Sequence, residues 1–126
     1  MNKLIKITLP LLLIFSANCY AEKSIVDVWQ CKLKDNKTMK DAAALNEKWV
    51  KFMNANVEGG GINSYDMEPR VGNHDRFMFV DVYPNMQSWA AGENVMEKTE
   101  EGRALHKEFK ELSKCSSNSL YSSTKH

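Results

Sequence analysis

Asp81 is a carboxylate set in an otherwise apolar run, Phe77-Met78-Phe79-Val80-Asp81-Val82-Tyr83. In an extended strand it shares a face with Phe77, Phe79 and Tyr83. A carboxyl group enclosed among aromatics resists ionisation, which suits it to give or take a proton near neutral pH. The competing reading is structural: an ion pair with a lysine or arginine near the strand end. Gln30 and Tyr65, on what read as neighbouring strands, and Tyr83 itself could hydrogen-bond a ligand, although each also suits an amphipathic sheet position with its polar end in water. Phe79 and Trp89 would supply an aromatic wall. Asp81 is thus the candidate base or polar anchor, with Gln30, Tyr65, Phe79, Tyr83 and Trp89 as candidate ligand-binding residues.

The other reactive residue types form no recognisable machinery. His74 and Asp75 are neighbours in a turn-like segment, an arrangement common in loops. No histidine or carboxylate cluster has metal-ligand spacing. Nucleophile elbow, P-loop and dinucleotide fingerprint are all missing. No metal or other cofactor is therefore expected. Asn36-Lys37-Thr38 matches a glycosylation sequon, but Thr38 is better explained as a helix cap.

The chain begins with Lys3 and Lys6, an apolar run over 7–15, and Cys19-Tyr20-Ala21, the pattern of a secretory signal peptide at 1–21. The run is shorter than the roughly 20 residues a membrane span needs. Cleavage after Ala21 leaves 22–126 as a single domain, exported to a periplasm or the outside. That domain is nearly neutral, with 15 basic against 16 acidic residues. It has no basic patch for nucleic acid and no second apolar run for a membrane. Export also leaves two cysteines, Cys31 and Cys115, in an oxidising compartment, and an even pair there predicts one disulfide.

Periodicity predicts the elements that must hold these residues. A strand is expected over 25–33. A helix then opens at Thr38, with Asp41 completing a capping box and Met39, Ala42, Leu45, Trp49, Phe52 and Met53 forming a core stripe. Gly59-Gly60-Gly61 stops it. Strands follow over 62–67 and 76–83, separated by a turn at Gly72-Asn73. Asn85 caps a helical segment that Gly92 and Asn94 should interrupt. Leu105, Phe109 and Leu112 mark a further helix over 100–114, and a last strand is expected over 118–123.

The order β-α-β-β-α-β is the ferredoxin-like split βαβ pattern, an α+β fold whose four-stranded antiparallel sheet has order 4-1-3-2 and helices on one face. That topology brings the end of strand one beside the start of strand four, and with it Cys31 to Cys115. Closing so long a loop stabilises by roughly 4 kcal/mol on the chain-entropy model. Strand 76–83 is apolar on both faces, so its uncovered side needs a second cover, most simply another copy of the chain. The expected ligand cavity is accordingly the space between sheet and dimer partner.

The strand RFMFVDVYPN at 76–85, Trp89 just after it, and the helical EEGRALHKEF at 100–109 make the chain resemble the dimeric α/β-barrel superfamily, including its antibiotic-biosynthesis-monooxygenase-like and stress-responsive members. The resemblance covers about 25–121 and implies a homodimer. It also implies a range of activities, from cofactor-free oxygenation and isomerisation to haem degradation. In the haem-degrading branch a histidine on the second helix ligates iron, and His106 falls near that place. The asparagine that branch carries on strand one is not matched in Gln30-Cys31-Lys32-Leu33.

Three functions stay open on the sequence. The first is binding or transformation of a small, largely apolar molecule. The second is a non-catalytic exported domain for self-association or partner binding. The third is haem handling. A fold does not choose among them.

Overall fold

The computed structural model describes residues 23–126. The expected export segment, 1–21, lies outside the described residues. Seven elements follow in order: β1 (Ser24–Leu33), α1 (Met39–Asn56), β2 (Asn63–Met67), β3 (Phe77–Tyr83), α2 (Met86–Lys98), α3 (Glu100–Leu112) and β4 (Ser113–Ser123). The strands form one antiparallel sheet of order β2-β3-β1-β4, the expected 4-1-3-2 order written from the other edge.

Local chemistry starts and stops the helices. Thr38 and Asp41 form the reciprocal capping box at the head of α1, with Thr38 Oγ1 accepting from the Asp41 amide at 3.2 Å. Beyond α1, Gly59, Gly60 and Gly61 have φ of +82°, +53° and +71°, a run of left-handed backbone that side chains disfavour. Asn85 caps α2 by accepting the Ser88 amide at 2.8 Å.

Two expectations are corrected here. Gly92 and Asn94 do not interrupt α2, which runs on to Lys98. Gly92 is buried, and a Cβ there would stand 2.3 Å from Met53 Cε and 3.3 Å from a Tyr83 ring carbon. This glycine lets α2 approach α1 and β3 closely. The break comes later, where Thr99 ends α2 and caps α3. The last strand also starts sooner than expected. α3 ends at Leu112 and β4 begins at Ser113, without a connecting loop. The segment Ser113-Lys114-Cys115-Ser116-Ser117 has little strand character of its own, and pairing with β1 overrides that local preference.

The fold joins the cysteines. Cys31 on β1 and Cys115 on β4 are cross-strand partners linked by a disulfide across 84 residues of sequence. The ladder shifts register between Gln30 and Cys31, which leaves Ser116 as the extra residue on β4.

The core sits between the sheet and the helices. Ile25 and Cys31 of β1 and Phe77, Phe79 and Tyr83 of β3 pack against Leu45, Trp49, Phe52 and Met53 of α1 and Leu105 and Leu112 of α3. Trp49 meets Tyr83 edge-on, with ring centroids 6.4 Å apart. Val26 and Val28 of β1 and Met78, Val80 and Val82 of β3 occupy the opposite, helix-free face and are only half-buried. Tyr65 and Tyr121 extend that face across β2 and β4.

Candidate functional site

A cavity of about 550 Å³ opens between the sheet and the helices of the single chain. Its floor is a row of paired strand residues. Ser64 of β2 is the partner of Asp81 on β3, and Asp81 is the partner of Asp27 on β1. Alternation along each strand puts Asp27 on the face of Ile25 and Cys31, and Asp81 on the face of Phe79 and Tyr83. Two carboxylates therefore stand side by side beneath the helices, at 3 % and 7 % exposure.

Their hydrogen bonds differ. Asn118 of β4 donates to Asp27 Oδ1, and Trp89 Nε1 donates to Asp27 Oδ2 at 3.3 Å. Fixed side chains thus occupy both oxygens of Asp27. Asp81 Oδ1 accepts from Ser64 Oγ at 2.5 Å, and among the described residues no donor is found for Oδ2. Burial pushes the Asp81 carboxyl up to about 7, an effect that the Ser64 hydrogen bond opposes and the negative charges of Asp27, Asp66 and Glu93 reinforce. Burial, with Asp81 and Asp27 nearby, likewise drives the Tyr83 hydroxyl above its usual range, so the phenol stays protonated. Glu93, at the cavity edge, is raised by burial and by Asp27. Asp66, raised mainly by burial, accepts from Asn46 Nδ2 at 2.8 Å.

Aromatic and sulfur-bearing side chains make the walls: Trp29 and Phe79 from the sheet, Trp49 from α1, Met96 from α2 and Phe109 from α3. Phe79 and Phe109 meet edge-on at 5.4 Å between centroids. The arrangement can bury an apolar body against aromatic faces and present one carboxyl oxygen to it.

The sequence-derived candidates divide between the two sides of the sheet. Asp81, Phe79 and Tyr83 line the cavity. Trp89 stands behind it as a donor to Asp27. Gln30 is exposed, and Tyr65 is 54 % exposed; both lie on the helix-free face, away from the cavity. Asp81, in contrast, does not share that face: the parity that carries it is the parity the chain's own helices cover, and the cavity that Asp81 lines lies between the sheet and those helices. The expected lysine or arginine partner of Asp81 is not found among the described residues; Ser64 takes that place. His106 of α3 lines the cavity. His74 instead borders a separate hollow of about 420 Å³ with Glu68, Asp75 and Arg76. No group of three or more metal-ligating side chains occurs among the described residues.

Sequence reasoning missed Asp27, Asn46, Glu93 and Asn118. Asp27 carried a usable signal: it interrupts an apolar strand on the parity of Ile25 and Cys31, as Asp81 does on β3. Asn46 and Glu93 sit one residue from core positions on their helices and look like ordinary solvent-facing residues in the sequence.

No family model matches the chain, and no curated relative matches it. Solved structures do. SnoaB, a cofactor-independent oxygenase from Streptomyces nogalater, superposes with a TM-score of 0.60 at 8% identity, over 82% of this chain and 96% of that one. A conserved protein of unknown function from Bacteroides thetaiotaomicron gives 0.51 at 17% identity, over 81% and 99%. A NIPSNAP-like domain protein from Burkholderia xenovorans gives 0.51 at 12%, over 82% and 85%. At these identities the likeness is one of architecture, and it agrees with the strand order and the helix-covered sheet: the chain has a ferredoxin-like α+β fold.

Proposed function

We propose that this chain binds a small, largely apolar molecule between its sheet and its helices, and that Asp81 accepts a proton or hydrogen bond from an acidic O–H or C–H group of that molecule. The observation that carries this reading is a carboxyl group with one uncommitted oxygen, raised to about 7, in an aromatic-walled cavity of about 550 Å³. Such a volume is within the usual range for small-molecule sites. A base of that strength is populated in both forms near neutral pH, the condition under which proton transfer is most effective.

The proposed step moves one proton from the ligand to Asp81 Oδ2 and leaves a ligand anion. Ser64 holds the Asp81 carboxyl in place through Oδ1. Asp27, already committed to Trp89 and Asn118, keeps a negative neighbour beside Asp81 and so favours the protonated product. The fold shared with SnoaB supports extending the reading from binding to catalysis only as an analogy.

Asp81→Asn tests this. With the fluorescent, apolar phenol 2-naphthol as ligand, the variant is expected to bind about tenfold more weakly, the scale of a lost charge-assisted hydrogen bond, with an unchanged circular dichroism spectrum. Unaltered affinity in the folded variant refutes the role of Asp81.

Two further elements belong to this proposal. The half-buried apolar face of β1 and β3 supports a homodimer with sheets packed face to face. The Cys31–Cys115 disulfide supports export, and no helix among the described residues is long and apolar enough to cross a membrane. Haem handling rests on the single observation that His106 lines the cavity. A haemin titration that yields no shifted Soret band dismisses it.

A further inference from the structure

The cavity has two chemically different ends. Asp27 and Asp81 pair near the middle of the sheet, whereas Lys34 lies just past the end of β1. Lys110 and His106 stand one turn apart on α3, and all five residues border the same cavity. Seven positions of extended chain separate Asp27 from Lys34, roughly 20 Å at the usual strand rise. The Lys34 ammonium turns toward α3 and donates one hydrogen bond to the Lys110 carbonyl at 2.5 Å. Two of its three N–H donors remain.

The two glutamates in the C-terminal half of α3 are engaged elsewhere. Glu108 pairs with Lys48 at 2.6 Å, and Glu111 with Lys107 at 3.9 Å. Among the described residues neither Lys34 nor Lys110 has a carboxylate within ion-pair distance. The C-terminus of α3 carries about half an elementary negative charge, which is less than the two lysines bring to it. Positive charge is thus left over at one end of an apolar cavity whose other end is acidic.

We propose that the cavity takes an elongated amphipathic monoanion, with its acidic group held at Lys34, Lys110 and His106 and its apolar body lying along Trp29 and Phe109 toward Asp81. This names the ligand class for the binding reading above and rests on that reading. The charge pattern also sets the orientation. A ligand carboxylate turned the other way would meet Asp27, Asp81 and Glu93. The span, shortened by the reach of a lysine stem, suits a chain of about ten to twelve carbons.

Competition against N-phenyl-1-naphthylamine compares 12-hydroxydodecanoate with 1,12-dodecanediol, two ligands that differ at one end only. The acid is expected to bind about tenfold more tightly than the diol at low salt, with the advantage shrinking at about 0.5 M salt. The double variant K34Q/K110Q is expected to reduce the acid-to-diol preference to less than about twofold, and K34R/K110R to preserve it. Equal affinities in the unaltered protein, or a preference that survives K34Q/K110Q, overturn the anion site while the cavity reading stands. If the fluorophore and both chains fail to bind, both readings fall together.

Discussion

On β3, Phe79, Asp81 and Tyr83 lie beneath the helices at 5 %, 7 % and 1 % exposure, while Met78, Val80 and Val82, each one residue away, are half-buried on the other side. β1 repeats the division, with Asp27 inside and Val26 and Val28 outside. The same strands thus carry an acidic, aromatic-walled cavity on one face and an apolar, helix-free surface on the other. Neighbouring residues can serve such different ends because a strand turns successive side chains to opposite sides. Buried polar groups are tolerated where a hydrogen-bond partner or a cavity receives them; the centre of the face without helices is built from valine and methionine, with Gln30, Tyr65 and Tyr121 around it.

The contrast can be broken at its anchor first. The disulfide fastens β4 to β1 at the cavity end, where Cys115 is among the lining residues. Replacing Cys31 and Cys115 with serine is expected to lower unfolding stability by about 4 kcal/mol, read from urea midpoints. A change near zero would place the strength of the covered face elsewhere.

Acidity gives the next largest effect. The folded-state value for Asp81, about 7, lies above the ordinary 3.8, so the folded chain holds more protons than the unfolded one between those limits. Stability is then fully present below about pH 4 and falls as pH rises toward 7, by an amount approaching about 4 kcal/mol. The raised Asp66 and Glu93 act in the same direction. Asp81→Asn should flatten most of that slope in a series of thermal melts.

The helix-free face is tested by Val80→Glu. A charge at the centre of that surface is expected to convert a dimer to a folded monomer, halving the mass in sedimentation equilibrium. An unchanged mass would remove the role assigned to this face. Gly92→Ala tests the other side, because the added methyl must displace buried Met53; a loss of about 1–2 kcal/mol is expected. Gln30→Ala, exposed on the helix-free face, should change stability by no more than about 0.5 kcal/mol and leave ligand affinity alone.

Much of this architecture was legible in the chain. The capping box at Thr38, the stripe through Trp49 and Met53, and the two-sided apolarity of 77–83 each reflect a local rule that the fold obeys. The pairing of Cys31 with Cys115 followed from topology. What was not legible depends on contacts between distant segments. Gly92 reads as a helix breaker until α1 is seen pressed against it. Ser113–Ser117 reads as loop until β1 supplies its ladder. Asp81 stood out by composition, but which cover lay over it depended on the side the helices chose. Gln30 and Tyr65 lie on the helix-free side, where a second copy was the expected cover, and so stand apart from Asp81. Asn46 and Asn118 matter only through the carboxylates they reach, and no local pattern announces that.

Everything proposed for the cavity depends on Asp81 being a carboxyl group poised near neutrality beneath the helices. Carbon-13 NMR titration of the side-chain carboxyl groups, with the Asp81 resonance identified by its loss in Asp81→Asn, measures this directly. A midpoint near 7 is expected. A midpoint near 4, the ordinary value for an aspartate in water, would contradict it.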